Sequence, residues 1–181
     1  MSHPPVSVVT PVPVSDSAAF PSRALGACDL DAVEMLHDAV FGPGALTRTA
    51  YRVREAQPRL TPHCRVLFDG GTLVAAIRFT AIRIGGAEGA LMLGPLGVAQ
   101  AYANQGHGRR LIVEGLASAR AAGVAGVLLV GDLTYYARFG FAQLPPGRIE
   151  MPGPVDLARL LLAELTPGAA VHFKGRVSGA A

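Results

Sequence analysis

The chain has 181 residues, half of them apolar, which is the length of one domain with ample material for a core. Its formal charge of +3 rests on scattered arginines, adjacent only at Arg109-Arg110, so neither nucleic acid nor a membrane surface is indicated as a partner. No apolar run approaches the roughly 18–20 residues that span a bilayer, no signal-peptide pattern opens the chain, and Cys28 and Cys64 fit no metal or redox spacing; a cytoplasmic protein with two buried thiols and no metal is expected.

Residues 1–20 hold four prolines among Ser, Val and Thr and can bury little, so they are expected to form a flexible tail ahead of one domain over 21–177. Ser22 to Ala27 reads as a short strand. Asp31 to Phe41 reads as a helix, with Asp31 and Glu34 at capping-box spacing and Val33, Leu36 and Val40 on one stripe. Gly42-Pro43-Gly44 ends it, and 46–57 suggests a second, more polar helix stopped at Pro58. Three strands follow as an antiparallel meander: Arg65 to Phe68, Leu73 to Ile84 and Ala90 to Val98, turning at Asp69-Gly70-Gly71 and Gly85-Gly86. Leu73, Ile77 and Phe79 share one face of the second.

Gly108 to Ala122 is the clearest helix. Leu111, Ile112, Leu116 and Ala119 share a face, Arg110 and Glu114 stand four apart, and Gly123 closes the end. Val127 to Val130 is a buried strand. Strand, long helix and strand form a crossover, so this strand runs parallel to the one ending at Val98. Thr134 to Phe139 reads as a short helix, and Ala169 to Phe173 as a further strand. Phe139 and Phe141 are expected in the core. The fold class is α/β: a mixed, mostly antiparallel sheet with a central parallel pair, flanked by helices.

Pro95 breaks the rule of its strand, since it has no N–H for the ladder, and Gly94 and Gly97 beside it add no bulk. A bulge, or a strand leaving its neighbour, is expected there. A parted strand exposes N–H and C=O groups that could pair with an extended ligand carrying amides; a kinked edge strand is the alternative. After it, Gly106-His107-Gly108 opens the long helix. Glycine admits an anion close to the backbone, and the helix start adds its positive end. No Gly-Lys-Ser/Thr is present, and Leu111 stands where a dinucleotide fingerprint needs its third glycine. A ligand with an amide-bearing arm and a pyrophosphate answers both features, and coenzyme A has both.

The order of elements, the Leu96-Gly97-Val98 to Gly106-His107-Gly108 stretch and Gly131-Asp132-Leu133-Thr134-Tyr135-Tyr136-Ala137-Arg138-Phe139-Gly140-Phe141 together resemble the GNAT superfamily of N-acetyltransferases from about Ser22 to Phe141. The tail, Met151-Pro152-Gly153-Pro154 through Leu165-Thr166-Pro167-Gly168, is similar to a bacterial branch of predicted GNAT acetyltransferases with a GD-x-x-YY-x-RFGF run. The resemblance implies a GNAT-like fold splayed at the cofactor site, with acetyl-CoA as co-substrate and direct attack by an amine, without a covalent enzyme intermediate. It implies that the backbone of Leu96, Gly97 and Val98 holds the pantetheine, with the Val98 N–H on the oxyanion, and that Gln105, Gly106, His107, Gly108 and Arg109 hold the pyrophosphate. Ala103 replaces the first Gln or Arg of the family loop, so these contacts fall to backbone.

Tyr136 matches the family tyrosine near the thioester sulfur and is expected as general acid, while Tyr135 is expected to pack; that both tyrosines merely pack is the alternative. Glu88, Asp132 and His63 are candidate bases, and Asp132 could equally cap the short helix. His107 is expected at the surface of the loop, and His37 and Glu34 as structural residues of a helix face. The acceptor is an unspecified small-molecule or protein amine, and the chain a monomer or homodimer. Two further readings stay open: an acyl-CoA-binding or regulatory module without catalysis, and a nucleotide-binding domain of another type.

Overall fold

Strand-forming runs punctuated by glycine turns build the sheet of this protein, in a computed structural model that describes residues 20–42, 49–54, 57, 58 and 60–180. The strands are β1 (Ser22–Ala24), β2 (Arg65–Asp69), β3 (Thr72–Ile84), β4 (Ala87–Val98), β5 (Gly126–Val130), β6 (Phe141–Gln143), β7 (Ile149–Glu150), β8 (Leu160–Glu164) and β9 (Gly175–Gly179). Their order is β1-β2-β3-β4-β5-β8-β6, with β9 paired to β3 and β7. The expected meander is β2-β3-β4, and the expected parallel pair is β4 with β5, joined through Ala90–Gly126, Leu91–Val127 and Met92–Leu128. All but the last residue of the proposed tail lie outside the described residues.

Helices cover both faces. They are α1 (Leu30–Phe41), α2 (Thr49–Arg54), α3 (His107–Ala121) and α4 (Leu133–Tyr136). The rest of the helix expected over 46–57 lies outside the described residues or, at Gln57, beyond the helix end. Phe79 lies against α3, where Gly115 has no side chain because one would meet the Phe79 ring. Ala76, three residues earlier on β3, points the other way, toward α1. Both faces are therefore buried, and Leu111, Ile112, Leu116 and Ala119 of α3 enter the core as their spacing predicts. The Arg110–Glu114 pair forms at 2.7 Å. Phe141 is buried and Phe139 partly so. No helix among the described residues is long and apolar enough to cross a membrane.

Several local expectations are corrected. β1 ends at Ala24, and Ala27–Asp29 is a 3-10 turn. Asp29, not Asp31, precedes α1; its carboxylate accepts from Arg23 at 2.6 and 2.7 Å and from the Gly26 N–H at 2.8 Å. Asp31 sits inside the first turn, where its charge complements the helix dipole. His37 takes the buried place in the stripe with Val33 and Leu36, and Val40 is 40% exposed. Cys64 is buried, but Cys28, on the 3-10 turn, is exposed. Ala169–His172 is a 3-10 turn rather than a strand, because Arg148 donates to the carbonyls of Ala170 and Phe173 and Glu164 accepts the Ala170 N–H.

Candidate active site

β4 leaves its neighbours at Pro95. Ile77 pairs with Leu96 and Phe79 with Leu93, so Arg78 alone on β3 faces both Gly94 and Pro95. The extra residue is a bulge; Gly94 takes φ 116°, and the Gly94–Pro95 peptide is cis. On the other side, pairing with β5 stops at Met92–Leu128, while β4 continues to Val98 and β5 to Val130. The two expectations for Pro95, a bulge and a parted strand, are both met, each on a different edge of β4.

The open edge can be read residue by residue. The Ala99 N–H donates to Val74 O at 2.8 Å. In an antiparallel ladder the bonded pairs alternate, so Ala76–Gly97 is bonded too. The N–H and C=O of Gly97 are thus turned to β3, and those of Leu96 and Val98 face the gap beside β5. Gly97 serves a different need: a Cβ there would lie 2.8 Å from Cδ2 of the His37 ring.

α3 begins at the mouth of this gap. Gly106, at φ 84° and ψ 0°, precedes the helix, and the Arg110 N–H donates to its carbonyl at 3.0 Å. The amides of His107, Gly108 and Arg109 come before the first helical donor, Arg110, and have no partner within the helix. Measured from its Cβ position, Gly108 lies 3.4 Å from Val98 Cγ2, 3.5 Å from Leu96 Cδ2 and 3.7 Å from the Tyr135 hydroxyl. The helix start, the end of β4 and α4 therefore meet at one point. Arg109 is exposed there, whereas Arg110 turns away to Glu114 and to Phe20 O at 2.7 Å. Gln105 donates to Ala101 O at 3.4 Å.

His107 is not the surface residue expected. It is buried, with its ring edge-on to Phe20 at 4.9 Å and to Tyr102 at 6.2 Å. Phe20 is distant in sequence, so no local pattern announces this aromatic cluster.

The two tyrosines divide their roles. Tyr136 lies over Gly131, where a methyl group would collide with its ring, and packs against Phe141 at 5.7 Å. Burial pushes its phenol up to about 12; Tyr135 adds to the rise and Arg159 opposes it. Tyr135, expected to pack, is 37% exposed and puts its hydroxyl beside Gly108. Burial raises its phenol too, against the charges of Arg138 and Arg109. Adjacent residues on a helix diverge by about 100°, so the turn holds Tyr136 half-buried against Gly131 and Phe141 and brings the Tyr135 hydroxyl to the helix start. That geometry was the available signal for Tyr135.

Each candidate base has a partner of its own. Asp132 accepts the Thr134 N–H at 2.7 Å and caps α4. Glu88 pairs with Arg83 near the start of β4, ten residues or about 33 Å of extended strand from Val98. His63 bonds Ser118 on α3 at 3.0 Å, and burial, with Arg65 nearby, lowers its pKa. As a whole, the site offers outward-facing backbone groups along an open strand edge, a helix start suited to an anion, and a protonated phenol.

Comparison with known proteins agrees with this arrangement. Residues 30–141 match the model of the acetyltransferase (GNAT) family. The uncharacterized N-acetyltransferase YhbS of Escherichia coli K12 is 35% identical over 74 residues, which are 40% of this chain and 44% of that protein, so the match spans less than half of that relative. A GNAT acetyltransferase from Brucella melitensis, solved in complex with acetyl-CoA, is 32% identical over 83% of this chain and 97% of that one, with a TM-score of 0.59. The E. coli YhbS structure in complex with CoA covers 89% of both chains with a TM-score of 0.76 and 24% identity, a likeness of fold.

Proposed function

The chain belongs to the GNAT family of acetyltransferases, and from that membership we propose that it transfers an acetyl group from acetyl-CoA to a primary amine by direct attack in a ternary complex. The observation that carries this reading is the alternation on β4, which turns the backbone of Leu96 and Val98 into a gap that ends at the start of α3. Acetyl-CoA supplies an activated acyl carbonyl and a thiolate leaving group. The Leu96 backbone and the Val98 carbonyl pair with the amides of its arm, while Gly97 keeps its backbone on β3 and leaves room for His37. The amides from Gln105 through Arg109 hold the pyrophosphate. The Val98 N–H steadies the oxygen that gains charge when the amine attacks the carbonyl carbon. As the C–S bond breaks, the Tyr136 hydroxyl gives its proton to the sulfur. The amine reacts in its neutral form or loses its proton to water, since Asp132, Glu88 and His63 are engaged elsewhere. The complexes of the Brucella protein with acetyl-CoA and of YhbS with CoA support the choice of cofactor.

The engagement of all three candidate bases also favours a second reading, in which the protein binds acyl-CoA without turning it over. A thermal-shift titration with acetyl-CoA, CoA, ATP and NAD, followed by thiol release against amines, separates them. A ligand that binds only the folded chain raises its melting temperature by mass action. The transferase reading expects a rise with acetyl-CoA and CoA alone, and thiol release with an amine. A rise without release from any amine supports the second reading, and no rise at millimolar acetyl-CoA sinks both.

A further inference from the structure

The loop that leads into α3 is pinned at both ends by aromatic rings, and acetyl transfer, as described, gives those rings no task. Phe20, Tyr102 and His107 meet edge to edge. Phe20 lies 4.9 Å from the His107 ring and 6.0 Å from the Tyr102 ring, and those two are 6.2 Å apart. Edge-on contacts suit the opposite partial charges of ring rim and ring face. Between the two loop rings, Asn104, Gln105 and Gly106 are exposed. Asn104 and Gly106 take positive φ, 61° and 84°. Among the described residues, no amide from Asn104 to Gly106 has a backbone partner. Gln105 adds two long side-chain contacts, to Ala101 O and to His107 Nε2, both at 3.4 Å. The stretch therefore takes its shape from where its two ends are held.

Each end is anchored outside the loop. The Tyr102 hydroxyl donates to Asp69, at the end of β2, at 2.8 Å. Phe20, partly buried, stands just before β1; its carbonyl accepts from Arg110 Nη1 at 2.7 Å, and Ser22 Oγ donates to Glu114. Arg110 and Glu114 pair with each other, so the chain entering β1 is tied to the first turns of α3. His107 is the first residue of α3, and Phe20 packs on its ring. A buried ring leaves its own Cα little freedom, and the amides of His107 and Gly108 flank that Cα. These are two of the three amides left free for an anion. A loop already in its bound shape loses less freedom when the anion arrives, and binds it more tightly for that reason.

We propose that Phe20 is a positioning residue for the donor. Acting through His107, with Tyr102 on the other side, it holds the loop from Ala103 to Arg109 in the shape that receives the diphosphate of acetyl-CoA. This rests on the acetyl-transfer reading. Phe20 acts on one half of the cofactor; the arm and acyl group, seated along β4, do not depend on it.

The test compares two donors. Acetyl-CoA carries the diphosphate, and S-acetylpantetheine carries the same arm and acyl group without it. Dissociation constants are measured by calorimetry, the weaker donor by competition against acetyl-CoA. In Phe20→Ala the Kd for acetyl-CoA should rise tenfold or more, while that for S-acetylpantetheine stays within twofold of the parent. Phe20→Leu, which keeps apolar bulk, should recover part of the loss. Tyr102→Ala releases the loop at its other end, where the bond to Asp69 is exposed, and should show the same selective loss. It reads the proposal even where Phe20→Ala fails to fold. A ring that only packs would leave both constants alone or weaken both donors alike, and either result in a folded variant overturns the proposal. If S-acetylpantetheine does not compete even in the parent, adenosine 3′-phosphate 5′-diphosphate takes its place. That half of the cofactor should then lose as much affinity as acetyl-CoA does, and a smaller loss overturns the proposal. A parent that does not bind acetyl-CoA defeats the acetyl-transfer reading, and this one with it. A parent that binds, with variants that bind equally well, removes the positioning role alone.

Discussion

Gly108 has no side chain where Val98, Leu96 and the Tyr135 hydroxyl already converge. Its backbone is ordinary helix, so Gly108→Val fills that notch without straining φ. Acetyl-CoA affinity should fall at least tenfold, about 1.4 kcal/mol, with little change in melting temperature, as calorimetric titration would show. Tyr136→Phe keeps the ring on Gly131 and Phe141 and removes only the hydroxyl. Turnover should drop by roughly 10²-fold or more, while acetyl-CoA affinity holds; unchanged turnover would remove Tyr136 from the acid role. Because burial raises this phenol to about 12, its ionisation should not set the alkaline limb of the rate profile below that pH. That Tyr136 stands on a short helix was legible from its run. The surroundings of Tyr135 and His107 were not, because they come from α3 and from Phe20, which no local spacing reveals.

At the scale of elements, β4 is the decisive piece. Pro95 marked it from sequence alone, since a residue without an N–H cannot sit quietly in a ladder. Which edge would open was not legible, because that depends on how far β5 follows β4. The structure makes a sharp statement about alternate residues. In the free protein the amides of Leu96 and Val98 should exchange with solvent faster than those of Gly97 and Ala99, and acetyl-CoA should slow the first two selectively. Hydrogen exchange resolved by residue checks this; uniform protection along β4 would reject the pairing to the ligand. Elsewhere, elements with a strong apolar period, such as α3 and β3, were read within a residue or two. The start of α1 and the segment at Ala169 were misread because Arg23 and Arg148 reach in from other elements and settle the local hydrogen bonds.

The whole molecule carries a pH signature from a buried group. Burial holds His37 down to about 4; the backbone of Ala76 and the charge of Asp38 push the other way, while Arg78 and Arg54 act with burial. The unfolded chain takes up this proton near the ordinary 6.5 and the folded chain only near 4, so between these values the unfolded state binds more protons. The stability due to His37 is complete above about 6.5 and is lost as the pH falls toward about 4, by at most about 3 kcal/mol. His63, also lowered by burial, contributes with the same sign. Urea titrations across this range should show the decline, and His37→Gln should flatten part of it. That His37 would be buried was not visible in its helix stripe, where Val40 competed for the same face. The charges that act on it come from α1, α2 and β3, and no single segment of sequence carries them.

The opening between β4 and β5 is also a ruler. From Val98, beside the helix start, back to Gly94 at the bulge, β4 advances four residues, about 13 Å of extended chain. A nucleotide that seated its phosphates at the mouth would have nothing long and thin enough to reach the far end. Only a donor that carries an extended arm of that length fills the opening. The distance between a glycine loop and a misplaced proline thereby sets which carriers can deliver their cargo and which can merely dock.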